Sequence, residues 1–414
     1  MRILVYGIHF PPEPIGIGKF TGEMAAWLAN RGHEVRVVAA QPSYPGWSVM
    51  PGYSSGSYQC RRWQNVTVWH CPVWIPRRPT GVRRILHYLS VALSSTPVVL
   101  RQVFWKPDLV LLVVPPLFCA PVAWLAARLS GARAWLHVQD FEVSAAFETG
   151  LLRLPALHGL ALWVERRLMQ RFDRVSTISQ KMMMRLSDKG VADDRRVLFP
   201  NWVDVQAIHP LRGSNPLRRE LGIPEQATVA LYSGNMAGKQ GLETLLEAAR
   251  LLEDEKSLCF LMCGEGAARQ RLRSEYGDLP NVTWLPLQPA ERLNELLNLA
   301  DIHLLPQLAD VADLVMPSKL TGMLASGRPI VATANAGSQI AEVVVRCGLV
   351  VLPGDPDALA TAIRRLGADR GERQRLGEAA RNYAIENIES SQILREFERA
   401  LVSCCESGVS APSN

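Results

Sequence analysis

The sequence predicts an α/β protein with two Rossmann-like, doubly wound parallel-sheet domains, and three observations carry that prediction. A chain of 414 residues exceeds one ordinary core, while 48% hydrophobic and 20% charged residues make a globular composition. Short apolar runs alternate with helical patterns, as strands joined by crossover helices do. A polar, proline-punctuated stretch running to about Asn215 splits the series in two.

The first unit opens with an apolar strand at 2–8, which runs into HFPPEPIGIGK, from His9 to Lys19, and a helix at 20–30. Gly16 and Gly18 would let backbone come close to a ligand there, because glycine has no Cβ to hold it off. The run lacks the GxxxxGK[ST] spacing of a Walker loop, and on pattern alone a tight turn fits as well. A second strand follows Gly32, and others fall near 66–73, 108–114, 134–138 and 174–178. The second unit has strands at 229–233, 259–263, 282–285, 302–305, 330–333 and 349–352, with clear helices between them.

Charge is unevenly placed. From Val35 through Pro107 there is no Asp or Glu, while Arg36, Arg61, Arg62, Arg77, Arg78, Arg83, Arg84, Arg101 and Lys106 all fall there. Trp47, Trp63, Trp69, Trp74 and Trp105 interleave with them. Such a segment, at 60–106, suits an anionic membrane surface, each cation adding about 1 kcal/mol; a solvated basic face over buried aromatics is the alternative. No helix-turn-helix, RNP-like or finger signature accompanies the charge, so no nucleic-acid partner is expected. Prolines 115, 116 and 121 interrupt the apolar run 109–127, and Pro97 interrupts 81–104, so neither is expected to span a bilayer; the latter suits lying in the interface. Scattered cysteines without ligand-like spacing, and no leader before the first strand, lead to the expectation of a cytoplasmic protein with reduced thiols, peripheral to the inner face of the plasma membrane.

Three stretches carry candidate chemistry. WLHVQDFEV, from Trp135, puts His137, Asp140 and Glu142 at a strand end, the carboxyl edge where α/β proteins bind ligands. YSGNMAGKQGL, from Tyr232, reads as strand, glycine loop and helix, with Gly234, Asn235 and Lys239 offering backbone donors and a cation for a diphosphate. DVADLVMPSKLTGMLASGRPIVAT, from Asp310, reads as a polar loop, a helix entered at Pro317, Ser318 and Lys319 and stopped by Gly327, then a buried strand. A helix start with a lysine beside it is an anion site, although an ordinary surface helix has the same pattern. Asp355 and Asp357 form a DxD directly before a helix, where capping is expected and no metal.

Taken together, MRILVYGI, GIGKFTGEM, LHVQDFEV, SGNMAGKQGLE and MPSKLT resemble the retaining GT4-type glycosyltransferases, and within them the WcaI-type group of colanic acid biosynthesis, from about Met1 to Glu398. The resemblance implies the GT-B fold, two domains facing a cleft, with the hinge at 198–205. The boundaries are then 1–205, on the acceptor side, and 206–387, binding the nucleotide sugar, with a last helix near 388–403 returning to the first domain. It also implies a GDP- or UDP-linked sugar as donor, retention of configuration, no cofactor or metal, and a lipid-linked oligosaccharide acceptor in exopolysaccharide synthesis.

By the same resemblance, His137 would contact the sugar near the reacting carbon. Lys239, Lys319 and the turn through Met316, Ser318 and Leu320 would hold the diphosphate, with Gly16, Gly18, Gly234 and Asn235 close by, and the cations would stabilise the charge growing on the leaving group. Gly264 and Glu265 would lie in the loop passing the nucleobase; Lys19, Asp140 and Glu142 would face the acceptor. The wider family has two glutamates spaced EX7E, one holding the ribose, where this chain has Leu314 and Gly322; Asp310 or Asp313 is the candidate to take over a sugar-hydroxyl contact. Many relatives also have arginine where Asn235 stands. Two further readings share the scaffold: a nucleotide-sugar 2-epimerase, and a non-catalytic subunit binding nucleotide and membrane.

Overall fold

The computed structural model describes residues 1–13, 16–77, 81–141, 155–211, 213–236, 240–309 and 317–406. The chain divides into two compact units, Met1–Pro200 with Ile393–Asn414, and Asn201–Gln392.

Among the described residues, unit 1 has eight strands: β1 (Arg2–Tyr6), β2 (Glu34–Ala40), β3 (Gln59–Trp63), β4 (Val66–Cys71), β5 (Leu109–Val114), β6 (Arg133–Val138), β7 (Arg174–Thr177) and β8 (Arg196–Leu198). Their order is β3-β4-β2-β1-β5-β6-β7-β8, parallel throughout except for β3 against β4. Helices α1 (Ile17–Asn30), α2 (Gly81–Arg101), α3 (Ala120–Ser130), α4 (Pro155–Met169) and α5 (Gln180–Asp188) lie between strands. Every residue of β5, LVLLVV, is buried, as a central parallel strand covered on both faces must be. The strand order reverses beside β1, which lies between β2 and β5; the space beyond its carboxyl end is where such sheets take ligands.

Two expectations for this unit are corrected. β3 was not anticipated, because QCRRW is exposed along most of its length and shows no apolar alternation; a two-residue turn with Gln64 at φ 47° folds it onto β4. Pro97 does not interrupt α2. It lies on the solvent side, where the carbonyl it leaves without an N–H partner can be hydrated. The run 109–127 becomes β5, a proline turn and the start of α3. Among the described residues, no helix is long and apolar enough to cross a membrane.

Unit 2 has a six-stranded parallel sheet, β9 (Thr228–Ser233), β10 (Leu258–Cys263), β11 (Val282–Leu285), β12 (Ile302–Leu305), β13 (Ile330–Thr333) and β14 (Gly348–Val351), in the order β11-β10-β9-β12-β13-β14. Its helices are α6 (Pro216–Glu220), α7 (Leu242–Leu251), α8 (Arg269–Tyr276), α9 (Leu293–Leu299), α10 (Lys319–Ala325), α11 (Gln339–Val344), α12 (Pro356–Ala368) and α13 (Arg370–Asn387). Tyr232, Leu246, Phe260, Met262 and Ile363 fill one side of this sheet; Leu320, Met323, Ile330 and Ile340 lie in a second cluster. Asp355 caps α12, accepting the Ala358 N–H at 2.8 Å, as its place before a helix implied. The last helix, α14 (Ser390–Glu406), carries the chain back into unit 1, where Arg31 and His33 bind Glu398.

Candidate active site

At the carboxyl ends of β9 and β10, two glycine loops meet backbone to backbone. The Gly234 N–H donates to the Cys263 carbonyl at 3.0 Å and the Met236 N–H to the Glu265 carbonyl at 2.8 Å. A Cβ at Gly264 would stand 1.9 Å from the Gly234 carbonyl oxygen, and one at Gly266 would stand 2.5 Å from Asn235 Oδ1. Since β9 lies between β10 and β12, these loops occupy the point where this sheet reverses its strand order.

Lys319, the first residue of α10, reaches the same place. Its Nζ lies 4.3 Å from the centre of the Tyr232 ring and 3.3 Å from Gln240 Oε1, while its Cδ would be 3.4 Å from a Cβ on Gly234. The Tyr232 hydroxyl donates to the Asn235 carbonyl at 2.7 Å, and burial raises this phenol. Burial also holds the Lys319 ammonium down at about 7, and among the described residues no carboxylate lies within ion-pairing distance to restore it. A half-buried cation rimmed by the backbone of two glycine loops is suited to an anion.

Several expected donor-side residues are placed differently. Ser318 is exposed and its hydroxyl caps nothing, and α10 spans only 7 residues, so the charge here comes from Lys319 and not from a long helix. The Leu320 side chain is fully buried in the unit 2 core, which leaves only its backbone for a ligand. A side chain at Gly322 would begin 3.1 Å from Leu297 Cδ1. Glu265 pairs with Arg269 at 3.6 Å. Lys239, Asp310, Asp313, Leu314, Met316 and Glu142 lie outside the described residues.

In unit 1, His137 on β6 is not an open group. It is 2% exposed, its Nδ1 lies 2.9 Å from Ser176 Oγ, its Nε2 lies 3.0 Å from Gln139 Nε2, and the Phe199 ring is 5.0 Å away. Since the Gln139 amide nitrogen can only donate, Nε2 accepts and Nδ1 carries the proton. Burial pushes this imidazole down to about 3, so it is neutral. Both ring nitrogens are engaged by protein partners, Ser176 and Gln139, and the ring orients Gln139 at this strand end. Asp140 follows at the same strand end, half-buried.

Glu13 packs against Gly18: a Cβ there would stand 3.0 Å from Glu13 Cβ and 3.1 Å from its Oε2. Gly16, at φ 67°, makes the turn into α1. Lys19 lies 3.7 Å from Glu23 and borders a hollow of about 510 Å³ with Pro11, Trp27 and Trp63. The residues that sequence reasoning passed over are His9 and Glu13, whose ring Nδ1 and Oε2 are 2.7 Å apart. The signal available was a histidine and a glutamate four apart in a proline-rich loop directly after a strand.

Comparison with known proteins agrees with this architecture. Residues 16–202 match the Glycosyl transferase 4-like domain and residues 214–383 the Glycosyl transferases group 1 family. The chain is 41% identical over 407 residues to the colanic acid biosynthesis glycosyl transferase WcaI of Escherichia coli (strain K12), covering 96% of this chain and 98% of that protein. Among solved structures it is similar to sucrose-phosphate synthase from Thermosynechococcus elongatus, with a TM-score of 0.77, 17% identity and 98% and 99% of the two chains covered. It is also similar to Anabaena HepE in complex with UDP, with a TM-score of 0.72, 15% identity and 97% and 100% covered. At such identities these two speak for the fold, which is GT-B.

Proposed function

The chain belongs to the GT4-like glycosyltransferases, and from that premise we propose that unit 2 holds the diphosphate of a GDP- or UDP-linked sugar against Lys319 and the glycine loops. The observation that carries this reading is the half-buried Lys319 ammonium, held 4.3 Å from the Tyr232 ring centre with no carboxylate beside it among the described residues. A diphosphate supplies the missing negative charge, and the same ammonium stabilises the charge that grows on the leaving group as the sugar departs. HepE, a structural relative, has been solved in complex with UDP, which supports a nucleotide ligand for this fold.

In this proposal the sugar passes to a lipid-linked oligosaccharide of an exopolysaccharide such as colanic acid, with retention of configuration and without a divalent metal. The relationship to WcaI supports that acceptor class. The outer face of α2 supports work at a membrane. Val82, Leu86 and Leu93 recur at helical spacing and are 64%, 49% and 74% exposed, Phe104 just beyond is 88% exposed, and Arg83, Arg84 and Arg101 flank them. Of the five tryptophans in the basic region only Trp74 is largely exposed. Arg36 is occupied with the Trp69 and Trp105 rings, at 5.5 and 4.2 Å, so the interface falls to α2 and not to the Trp/Arg pattern as a whole.

Calorimetric titration with GDP and with UDP, with and without EDTA, tests the donor site. One nucleotide binds, EDTA changes nothing, and Lys319→Ala weakens binding about ten- to hundredfold. Absence of binding to either nucleotide by folded protein refutes the proposal.

A further inference from the structure

We propose that Gln307 reads the donor: its side-chain amide hydrogen-bonds a hydroxyl of the bound nucleotide sugar, which makes it a specificity-determining residue of unit 2. The inference deepens the reading of unit 2 as the donor site and rests on it.

The geometry begins with place. The strand order of unit 2 reverses between β9 and β12, so the loops leaving their carboxyl ends flank the crevice where α/β sheets take ligands. Those loops touch. A Cβ at Gly241, which precedes α7, would stand 3.3 Å from the Gln307 carbonyl carbon and 3.4 Å from Leu308 Cδ2. Gln240, one residue earlier, is the residue whose Oε1 lies 3.3 Å from Lys319 Nζ. Gln307 thus adjoins the segment that holds the Lys319 ammonium.

The backbone of Gln307 is fixed from the neighbouring strand. Its N–H donates to Thr333 Oγ1 at 2.7 Å, and the Thr333 hydroxyl donates to its carbonyl at 2.8 Å. Two residues on, the Ala309 carbonyl accepts from Asn335 Nδ2 at 2.9 Å. The side chain is the opposite case. Gln307 is 7% exposed, and its Oε1 is buried with no hydrogen-bond partner among the described residues. A buried amide oxygen without a donor is destabilising, and folded proteins keep few of them. His303 Nδ1 is unpaired as well, but it lies near the amino end of β12, with its Nε2 2.9 Å from Ser326 Oγ, and not at the ligand edge.

An unpaired acceptor on a fixed backbone is what a site needs to reject ligands that lack the matching polar group. A hydroxyl matches this one, because amide oxygen and nitrogen exchange places when the group turns over, and a hydroxyl can donate to the first or accept from the second. The donor has hydroxyls on its sugar and on its ribose, and binding of the nucleoside diphosphate alone separates the two.

Gln307→Met keeps the length of the side chain and removes both polar atoms. Calorimetric titration compares it with wild type for UDP against UDP-glucose and for GDP against GDP-fucose. The sugar nucleotide should bind about five- to tenfold more weakly, the loss of one neutral hydrogen bond. Nucleoside diphosphate bound as in wild type then assigns the hydroxyl to the sugar. Equal weakening assigns it to the ribose, provided the 2′,3′-dideoxy nucleoside diphosphate binds alike to both proteins. The thermal midpoint of the ligand-free variant should equal or exceed that of wild type, since an unpaired oxygen is removed, whereas a glutamine bonded to a trapped water would lose stability. Gln307→Leu, of a different apolar shape, guards against a packing fault in the first variant.

Sugar-nucleotide affinity within about twofold of wild type, a midpoint lowered in both variants, or weakening that persists with the dideoxy nucleotide overturns the proposal. No binding of either nucleotide by the wild type overturns the donor reading and this role with it, whereas wild-type binding matched by the variants overturns this role alone.

Discussion

Phe397 of the last helix lies flat on Phe199, ring centroids 3.6 Å apart and planes 4° from parallel, with the Trp135 ring edge-on at 5.3 Å. The C-terminal helix is therefore part of the core of unit 1. Replacing Phe397 by Ala should cost about 3–5 kcal/mol, the usual loss for a buried Phe. Scanning calorimetry should show one of two unfolding transitions lowered, with nucleotide affinity retained. Two unmoved transitions would show that α14 contributes nothing to the first unit.

The lowered Lys319 ammonium gives a sign to pH dependence. Its value falls from 10.5 in a free chain to about 7 in the fold, so between these values the unfolded chain holds more protons and this group's destabilising effect fades as pH rises. Diphosphate binding acts in the opposite sense, because it favours the protonated form. Affinity for GDP or UDP should fall as pH rises from about 7 to 9, with proton uptake visible when calorimetry is repeated in buffers of different ionisation enthalpy. In Lys319→Ala this pH dependence should vanish; an unchanged slope would assign it elsewhere.

Gly264→Ala should abolish nucleotide binding. The added Cβ meets the Gly234 carbonyl at 1.9 Å, and φ at 145° is one that alanine rarely adopts, so one of the two loops must move. Gly32→Ala offers a control, since it too has a positive φ, 89°, but nothing within 4 Å. Equal nucleotide affinity in Gly264→Ala and wild type would separate the loop contact from the site.

Leu93→Ser with Phe104→Ser should reduce co-sedimentation with phosphatidylglycerol vesicles several-fold and leave the thermal midpoint unchanged, because neither side chain is in the core. Vesicle binding equal to wild type would remove α2 from the membrane interface.

Much of this was legible in the sequence, for physical reasons. The strands of unit 2 were readable to within about a residue because parallel strands covered on both faces are short unbroken apolar runs. Lys319 was readable from its place after a Pro-Ser turn. Its burial was not, since that depends on Tyr232 and Gly234 on another strand. His137 illustrates the limit most clearly: the strand end was correct, but which way a ring faces depends on Ser176 and Phe199, whose neighbourhood is set by sheet order. That Glu13 packs where a Cβ of Gly18 would stand was not legible either, since it depends on how the loop between them folds.

One edge of the unit 1 sheet ends in β3, whose outer backbone groups are unpaired by any further strand among the described residues. A bare edge is a template on which a second chain can add a strand. Here Arg61 and Arg62 stand exposed along it, and Arg61 is held over the Tyr53 ring at 4.0 Å. Two copies brought edge to edge would set like charges against each other, so the same arginines that make this region basic also keep neighbouring molecules from polymerising through it.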